Sequence, residues 1–153
     1  MVAFRQIQHA FILMFILALG ILFLSSLFIY QAGTNPIPLF AFILITILFA
    51  VVLLLFYRLK VVVFNDKILI TFGVGLIWKI VDISRIKRIE IVRNPFYYGW
   101  GLRIIPNGML YNISGFKAVE LHFHDTVRIL RIGSANPAKL KQEIETRIRE
   151  RIE

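Results

Sequence analysis

The chain has no cysteine among its 153 residues. Disulfide bonds, thiol redox chemistry and cysteine-ligated zinc are therefore excluded. Structural disulfides belong to oxidising compartments, so a chain without cysteine is consistent with a domain that works in a reducing one.

Charged side chains are missing from the whole segment between residues 10 and 57. Two apolar runs of 21 residues, 10–30 and 37–57, are separated there by a turn at 31–36. A helix of that length covers about 30 Å, the thickness of the hydrocarbon core of a bilayer. The sequence therefore predicts a hairpin of two transmembrane helices. A cleaved signal peptide is the alternative for the first run, but its apolar stretch is too long and a second run follows directly.

The flanks of this hairpin predict its orientation. Arg5 precedes the first run, Arg58 and Lys60 follow the second, and the connecting turn carries no Lys or Arg. Under the positive-inside rule, both termini and the soluble part of the chain then face the cytoplasm.

Acidic residues are also absent from the first third of the chain. All nine Asp and Glu and 17 of the 18 Lys and Arg lie after residue 57, which gives that part a formal net charge of +8. A basic domain held at a membrane is attracted to anionic headgroups, with about 1 kcal/mol from each nearby Lys or Arg. We expect anionic lipid as a partner and no nucleic acid, because the chain shows neither a helix-turn-helix nor an RNA-binding pattern.

Residues 58–153 are enough for one small domain, and its fold class is predicted as α+β or mainly β. Short β-branched and aromatic runs separated by turn residues predict seven or eight antiparallel strands. These runs are 61–64, 68–72, 76–81, 88–92, 102–105, 109–113, 119–123 and 127–132. A helix is predicted from Pro137 onward, and its apolar stripe consists of Leu140, Ile144, Ile148 and Ile152. Residues 1–9 are expected to form a frayed tail, so the predicted domains are 1–57 and 58–153.

Several segments resemble the bacterial pleckstrin-homology-like (PH-like) family, in the membrane-anchored type with two spans before the domain. They are NPFYYGWGLR at 94–103, PNGMLYNISG at 106–115, AVE at 118–120, RIG at 131–133 and NP at 136–137. The resemblance implies a roll of two nearly orthogonal antiparallel sheets closed by a C-terminal helix. It implies no catalytic residue and no cofactor, and it places the protein in the bacterial inner membrane.

The aromatic-glycine segment 96–101 is the first candidate site, and it has two interpretations. Its rings can plug the core of a small barrel, which the large share of aromatic side chains in small cores favours. Alternatively, Tyr97, Tyr98 and Trp100 form a lip at the membrane interface or a groove for a peptide. Gly99 and Gly101 allow the backbone to bend there or to approach a partner closely.

Basic residues form the second candidate site. They are Arg58, Lys60, Arg85, Lys87, Arg88 and Arg93. One interpretation is a face turned toward anionic lipid, and the other is a solvated sheet edge whose charges discourage pairing with another chain.

Glu120, His122 and His124 alternate along one predicted strand and would project from the same face. Carboxylates and imidazoles bind zinc and iron, but three adjacent positions supply little of a coordination shell. We therefore predict no metal site, and keep a metal-dependent hydrolase that uses these three residues only as an alternative.

Together these observations predict a non-enzymatic interaction module at the inner membrane surface, which binds a protein partner, anionic lipid or a second copy of itself. An accessory subunit of a membrane transport or secretion complex is the other possibility, and it differs from the first only in the identity of the partner.

Overall fold

The structure, a computed structural model, describes residues 2–31 and 33–152. Ala32 of the predicted turn and the side chain of Ile152 in the predicted stripe lie outside this description. The helices are α1 (Phe11–Ile29), α2 (Leu39–Phe56) and α3 (Pro137–Ile152). The strands are β1 (Val2–His9), β2 (Arg58–Phe64), β3 (Lys67–Phe72), β4 (Ile77–Asp82), β5 (Ile86–Arg93), β6 (Gly101–Ile105), β7 (Gly108–Asn112), β8 (Lys117–Phe123) and β9 (Ile129–Gly133).

The two apolar helices, α1 and α2, occupy the predicted spans. Both are long and apolar enough to cross a membrane, judged by length and composition. Leu24 is the one buried residue of α1, and α2 has none. The helices contact each other through the stacked rings of Phe28 and Phe42, whose centroids are 4.5 Å apart. Their other side chains are exposed or only partly buried, as expected for helices surrounded by lipid.

The strands form two sheets, and this α+β layout agrees with the coarse prediction. The first sheet has the order β1-β2-β3-β4, and the second has the order β5-β8-β9-β7-β6. The prediction of an entirely antiparallel roll is wrong at one pairing, because β7 and β9 are parallel. The reason is that β7 and β8 run in opposite directions and β9 lies between them, so a strand that pairs antiparallel with β8 must run parallel to β7.

Strand β1 corrects the prediction of a frayed N-terminal tail. It pairs with β2 along its length, up to His9 opposite Arg58. The sequence hid this strand because Gln6 and Gln8 occupy two of its inward positions, where an apolar residue would have revealed the alternation. The first sheet therefore crosses the predicted domain boundary at residue 57 and uses chain from both sides of the hairpin.

The core lies between the two sheets and α3. Fully buried side chains come from all three layers; the largest include Phe72, Ile68, Ile70, Leu121, Ile132, Leu140 and Ile144. Burying each such side chain contributes about 1.5–3 kcal/mol. The stripe predicted for α3 is confirmed at Leu140 and Ile144, and Ile148 is partly buried against the same cluster. Asn136 caps this helix, since its Oδ1 accepts a hydrogen bond from the Lys139 N–H at 3.1 Å.

Candidate membrane-facing site

The β-domain is joined to the base of the hairpin by backbone hydrogen bonds. The β1–β2 ladder continues into the helices, because the N–H of Ala10 donates to the Tyr57 carbonyl at 2.9 Å. Ala10 is buried at this point, and α1 begins at the next residue. Strands and helices are thus connected without a flexible linker on either side.

The β3–β4 turn is a second connection to α2. The N–H of Val74 donates to the Leu54 carbonyl at 3.1 Å, one of the last carbonyls of α2, which have no partner within a helix. Gly73 is required here, because its φ is +52° and an added Cβ would lie 2.0 Å from the Leu54 oxygen. Arg58 supports the same turn through a hydrogen bond from Nε to the Gly73 carbonyl at 3.1 Å.

A groove of about 500 Å³ lies beside this joint. It is walled by Leu13, Val52, Phe56, Ile113 and the segment 99–103. Most of the lining is apolar, and the charged member is Arg103. Gly101 has a φ of +101°, and a Cβ on it would lie 4.0 Å from the Phe56 ring. This glycine lets the chain turn into β6 next to the last turn of α2.

The aromatic-glycine segment leads directly into the groove, and its rings lie on the surface. Phe96 and Tyr97 are 80% and 71% exposed, while Trp100 donates from Nε1 to the Gly115 carbonyl at 3.2 Å. The favoured prediction, that these rings plug the core, is wrong. Aliphatic side chains and the rings of Phe72 and Tyr111 fill the core instead, and the segment forms a short turn outside it.

The predicted basic residues do not form one surface. Arg85 directly precedes β5 and Arg93 is its last residue, so the length of the strand, about 23 Å, separates them. Arg85 binds Asp125, with Nη2 and Oδ2 2.6 Å apart, and Arg88 forms an ion pair with Glu90. These two arginines are therefore neutralised locally rather than directed at an external anion.

The other members of the basic set occupy separate places. Lys60 lies on β2 opposite Thr71 of β3, and Lys87 is exposed beside the bulge in β5. Arg93 lies opposite Lys117, and both line a cavity of about 400 Å³ together with Gln8, three residues before α1. Sequence reasoning missed Arg103, because only the packing of β6 against α2 places it at the hairpin.

The candidate metal-binding set is also rearranged. His124 is exposed in the turn after β8 and does not join the other two residues. Glu90 takes its place, because β5 pairs with β8 in the register that sets Glu90 opposite Glu120. The Nε2 of His122 lies 2.9 Å from Glu120 Oε1 and 4.0 Å from Glu90 Oε1.

This cluster is better explained as an ion network than as a cation site. Glu120 is buried, and Arg131 binds its second oxygen through Nε. Arg131 also donates from Nη1 to Asn94 Oδ1 at 3.1 Å, while Arg88 pairs with Glu90. Two guanidinium groups neutralise the two carboxylates, and their charge would repel a bound cation.

The far end of the domain differs from the hairpin in its charged groups. It consists of the turn 65–66, the end of β4 with the connection that follows it (82–85), and the loop 124–128. All three aspartates of the chain are here. The Arg85 hydrogen bond lowers the pKa of Asp125, and side-chain and backbone hydrogen bonds from Ser84 lower the pKa of Asp82. Arg151 at the end of α3 is 3.5 Å from Asp82. Arg85 and Arg151 are therefore paired with carboxylates at this end, whereas Arg128 in the loop 124–128 has no carboxylate oxygen within 4 Å among the residues that the structure describes.

Comparison with known proteins identifies no similar protein. No family model matches the chain, and no curated protein or solved structure matches it. Functional interpretation therefore rests on the joint, the groove and the distribution of charge.

Proposed function

We propose that this protein is a membrane-anchored, non-enzymatic interaction module that holds a basic domain against the cytoplasmic face of the inner membrane. The observation that carries the proposal is the joint at Ala10 and Tyr57, where one β-ladder runs directly into both apolar helices. If the helices span the bilayer, this joint fixes the height and tilt of the domain. Anionic lipid and proteins in the same membrane are then its nearest partners.

The distribution of charge supports this orientation. The hairpin end consists of the joint, the turn 73–76 and the segment 96–103. Arg58 and Arg103 lie here, and neither has a carboxylate oxygen within 4 Å among the residues that the structure describes. Basic groups next to the membrane are attracted to anionic headgroups, whereas the aspartates are held at the opposite end.

The PH-like assignment is part of the proposal. Two sheets with a C-terminal helix packed against them support it. The parallel pairing of β7 and β9 is a departure from the expected roll, so the family likeness carries no ligand site with it.

An accessory role in a membrane complex has its own supporting observation. Strand β4 is an edge of the first sheet, and its Trp78 and Ile80 are exposed. An exposed apolar edge is a template on which an extended segment of a partner can add a strand. Crosslinking in native membranes would distinguish this role, because the partner would be recovered through β4.

The absence of cysteine gives a direct test of topology. We would introduce one cysteine in the turn of the hairpin, Asn35→Cys, and another in the exposed β8–β9 loop, Val127→Cys. A membrane-impermeant maleimide should label Asn35→Cys in intact cells and should label Val127→Cys only after lysis. Labelling of Val127→Cys in intact cells, or recovery of the full chain without detergent, would refute the proposal.

The lipid part of the function needs a separate measurement. A Tyr97→Cys variant carrying an environment-sensitive dye would be reconstituted in vesicles with and without phosphatidylglycerol. We expect a blue shift of the dye emission in the anionic vesicles, because the hairpin end is drawn to the surface. Val127→Cys with the same dye is the control, and equal shifts at both sites would contradict the proposed orientation.

A further inference from the structure

We propose that the groove at the hairpin end binds one anionic phospholipid taken from the surrounding bilayer. An acyl chain would lie against the apolar wall, and the phosphate would be held by Arg103. This inference rests on the proposed function, because it requires α1 and α2 to be in a membrane.

The apolar wall belongs to the hairpin itself. Leu13 comes from α1, and Val52 and Phe56 come from successive turns of α2. At 1.5 Å per residue, Val52 is about 6 Å deeper along the helix axis than Phe56. The groove therefore starts at the end of α2 and extends toward the hydrocarbon region. Its volume, about 500 Å³, is within the usual range for small-ligand sites, about 300–1,000 Å³.

The rim of the groove supplies groups for a headgroup. Arg103 uses Nε to donate to the Trp100 carbonyl at 3.0 Å, which fixes the guanidinium at the mouth. A guanidinium has five N–H donors, so four remain, in a geometry that matches a phosphate. The Trp100 ring lies at the same rim, where amphipathic rings favour the membrane–water interface.

A bilayer lipid fits the groove better than a peptide or a second copy of this chain. Both candidate spans contribute partly exposed apolar side chains to the wall, Leu13 from one and Val52 and Phe56 from the other. In a bilayer, an acyl chain could therefore enter sideways without leaving the hydrocarbon region. The positive charge at the mouth selects an anionic headgroup. Arginine recognises phosphate more specifically than lysine does, because its planar guanidinium can form two parallel hydrogen bonds to the phosphate oxygens.

Trp100 provides a local probe of the occupant. The chain has two tryptophans, and Trp78→Phe leaves Trp100 as the single fluorophore in the full-length protein. This variant would be reconstituted in vesicles that contain a small fraction of phosphatidylglycerol or phosphatidylcholine with brominated acyl chains, which quench tryptophan on contact. We expect an apparent preference of about fivefold for the anionic quencher, as one arginine near anionic lipid would give.

Two pairs of variants separate the wall from the rim. Val52→Phe narrows the groove and should reduce quenching by both lipids, whereas Val51→Phe, on the exposed neighbouring position, should not. Arg103→Gln should abolish the preference for the anionic headgroup, and Arg149→Gln on the exposed side of α3 should preserve it. Thermal unfolding of each variant in detergent would show that the fold is retained.

Several outcomes would overturn the proposal. Equal quenching by both lipids, unaffected by Val52→Phe, would mean that ordinary annular lipid surrounds Trp100. A disulfide-linked dimer formed by Leu102→Cys would identify a second copy as the occupant. Either result leaves the topology experiment with Asn35→Cys and Val127→Cys intact, so the groove can fail while the proposed function stands. If that topology experiment fails, the groove proposal fails with it.

Discussion

The arginines at the two ends of the β-domain have different kinds of partner. At the hairpin end, Arg58 and Arg103 donate hydrogen bonds to backbone carbonyls, which are uncharged. At the far end, Arg85 and Arg151 contact the carboxylates of Asp125 and Asp82. An arginine bound to a carbonyl leaves a net positive charge at that place, whereas an arginine and a carboxylate together form a pair with no net charge.

This difference explains how a chain with a large positive charge can still present one particular end to anionic lipid. The attraction of a basic group for anionic lipid is lost within about 8–10 Å at physiological ionic strength, so only uncompensated groups near the membrane contribute. Backbone hydrogen bonds at the hairpin end therefore serve two purposes. They join the domain to the hairpin, and they hold arginines in place without neutralising them.

The largest expected effect is at the joint itself. Gly73→Val places a side chain where Cβ would be 2.0 Å from the Leu54 oxygen, so the β3–β4 turn must separate from α2. We expect destabilisation of more than about 4 kcal/mol, in the class of severe steric substitutions. Urea unfolding of the full chain in detergent, followed by circular dichroism, would measure it.

Gly75→Val is a matched control for that prediction. Gly75 also has a positive φ, +104°, but an added Cβ there would have no atom within 4 Å. This variant should lose only about 1–2 kcal/mol of unfolding free energy, which is the cost of the backbone strain. Equal losses in the two variants would mean that strain, and not the contact with α2, determines the stability of the turn.

The next largest effect tests the charged network between the two ends. Arg131→Met removes the partner of Glu120, whose carboxylate is buried, and should cost about 3–5 kcal/mol. The double variant Glu120→Met/Arg131→Met should recover most of that loss, because no buried charge is left unpaired. A double variant as unstable as Arg131→Met alone would show that Glu120 has a role beyond this pair.

Most secondary structure could be predicted from the sequence, because apolar periodicity is a local property. The spans, the eight strands after residue 57 and the start of α3 at Pro137 follow from it. Strand β1 could not be predicted, since its stability comes from pairing with β2 and its inward Gln6 and Gln8 look like loop residues. Strand pairing joins residues that are far apart in the sequence, so a short stretch of sequence does not reveal it.

The candidate site was the least predictable part for the same reason. The sequence correctly drew attention to Trp100 and Gly101, but the favoured burial of the aromatic rings was wrong because their composition resembles a core. The sequence does not distinguish Arg103 from the other basic residues that occur singly in the predicted strands. Only the approach of β6 to α2 brings it to the hairpin end.

A smaller effect is expected for the exposed rings of the hairpin end. The double variant Phe96→Ser/Tyr97→Ser removes apolar surface that the fold does not bury, so unfolding free energy should change by less than about 0.5 kcal/mol. In vesicles, and with Trp78→Phe added to all variants, the emission of Trp100 should shift to the red, because the segment loses its attachment to the interface. Ile104→Ser, at another exposed position, is the control, and a loss of stability in the ring variant would contradict a surface role.

The smallest effect belongs to the far end and appears only in acid. Hydrogen bonds lower the pKa values of Asp82 and Asp125 below their usual value of 3.8. A lowered folded-state pKa means that these carboxylates stabilise the fold above the unfolded value, and that this contribution is lost as the pH falls through the folded pKa. Unfolding followed from pH 5 downward should therefore show a smaller decline in Asp82→Asn/Asp125→Asn than in the native chain.

One further variant decides whether that acid response belongs to the far end. Arg58→Gln should leave the profile unchanged, because its partner at the hairpin end is a carbonyl that does not titrate. An altered acid slope in Arg58→Gln would mean that a carboxylate compensates this arginine after all. The hairpin end would then keep only Arg103 as an uncompensated arginine, and its proposed attraction to anionic lipid would be weaker.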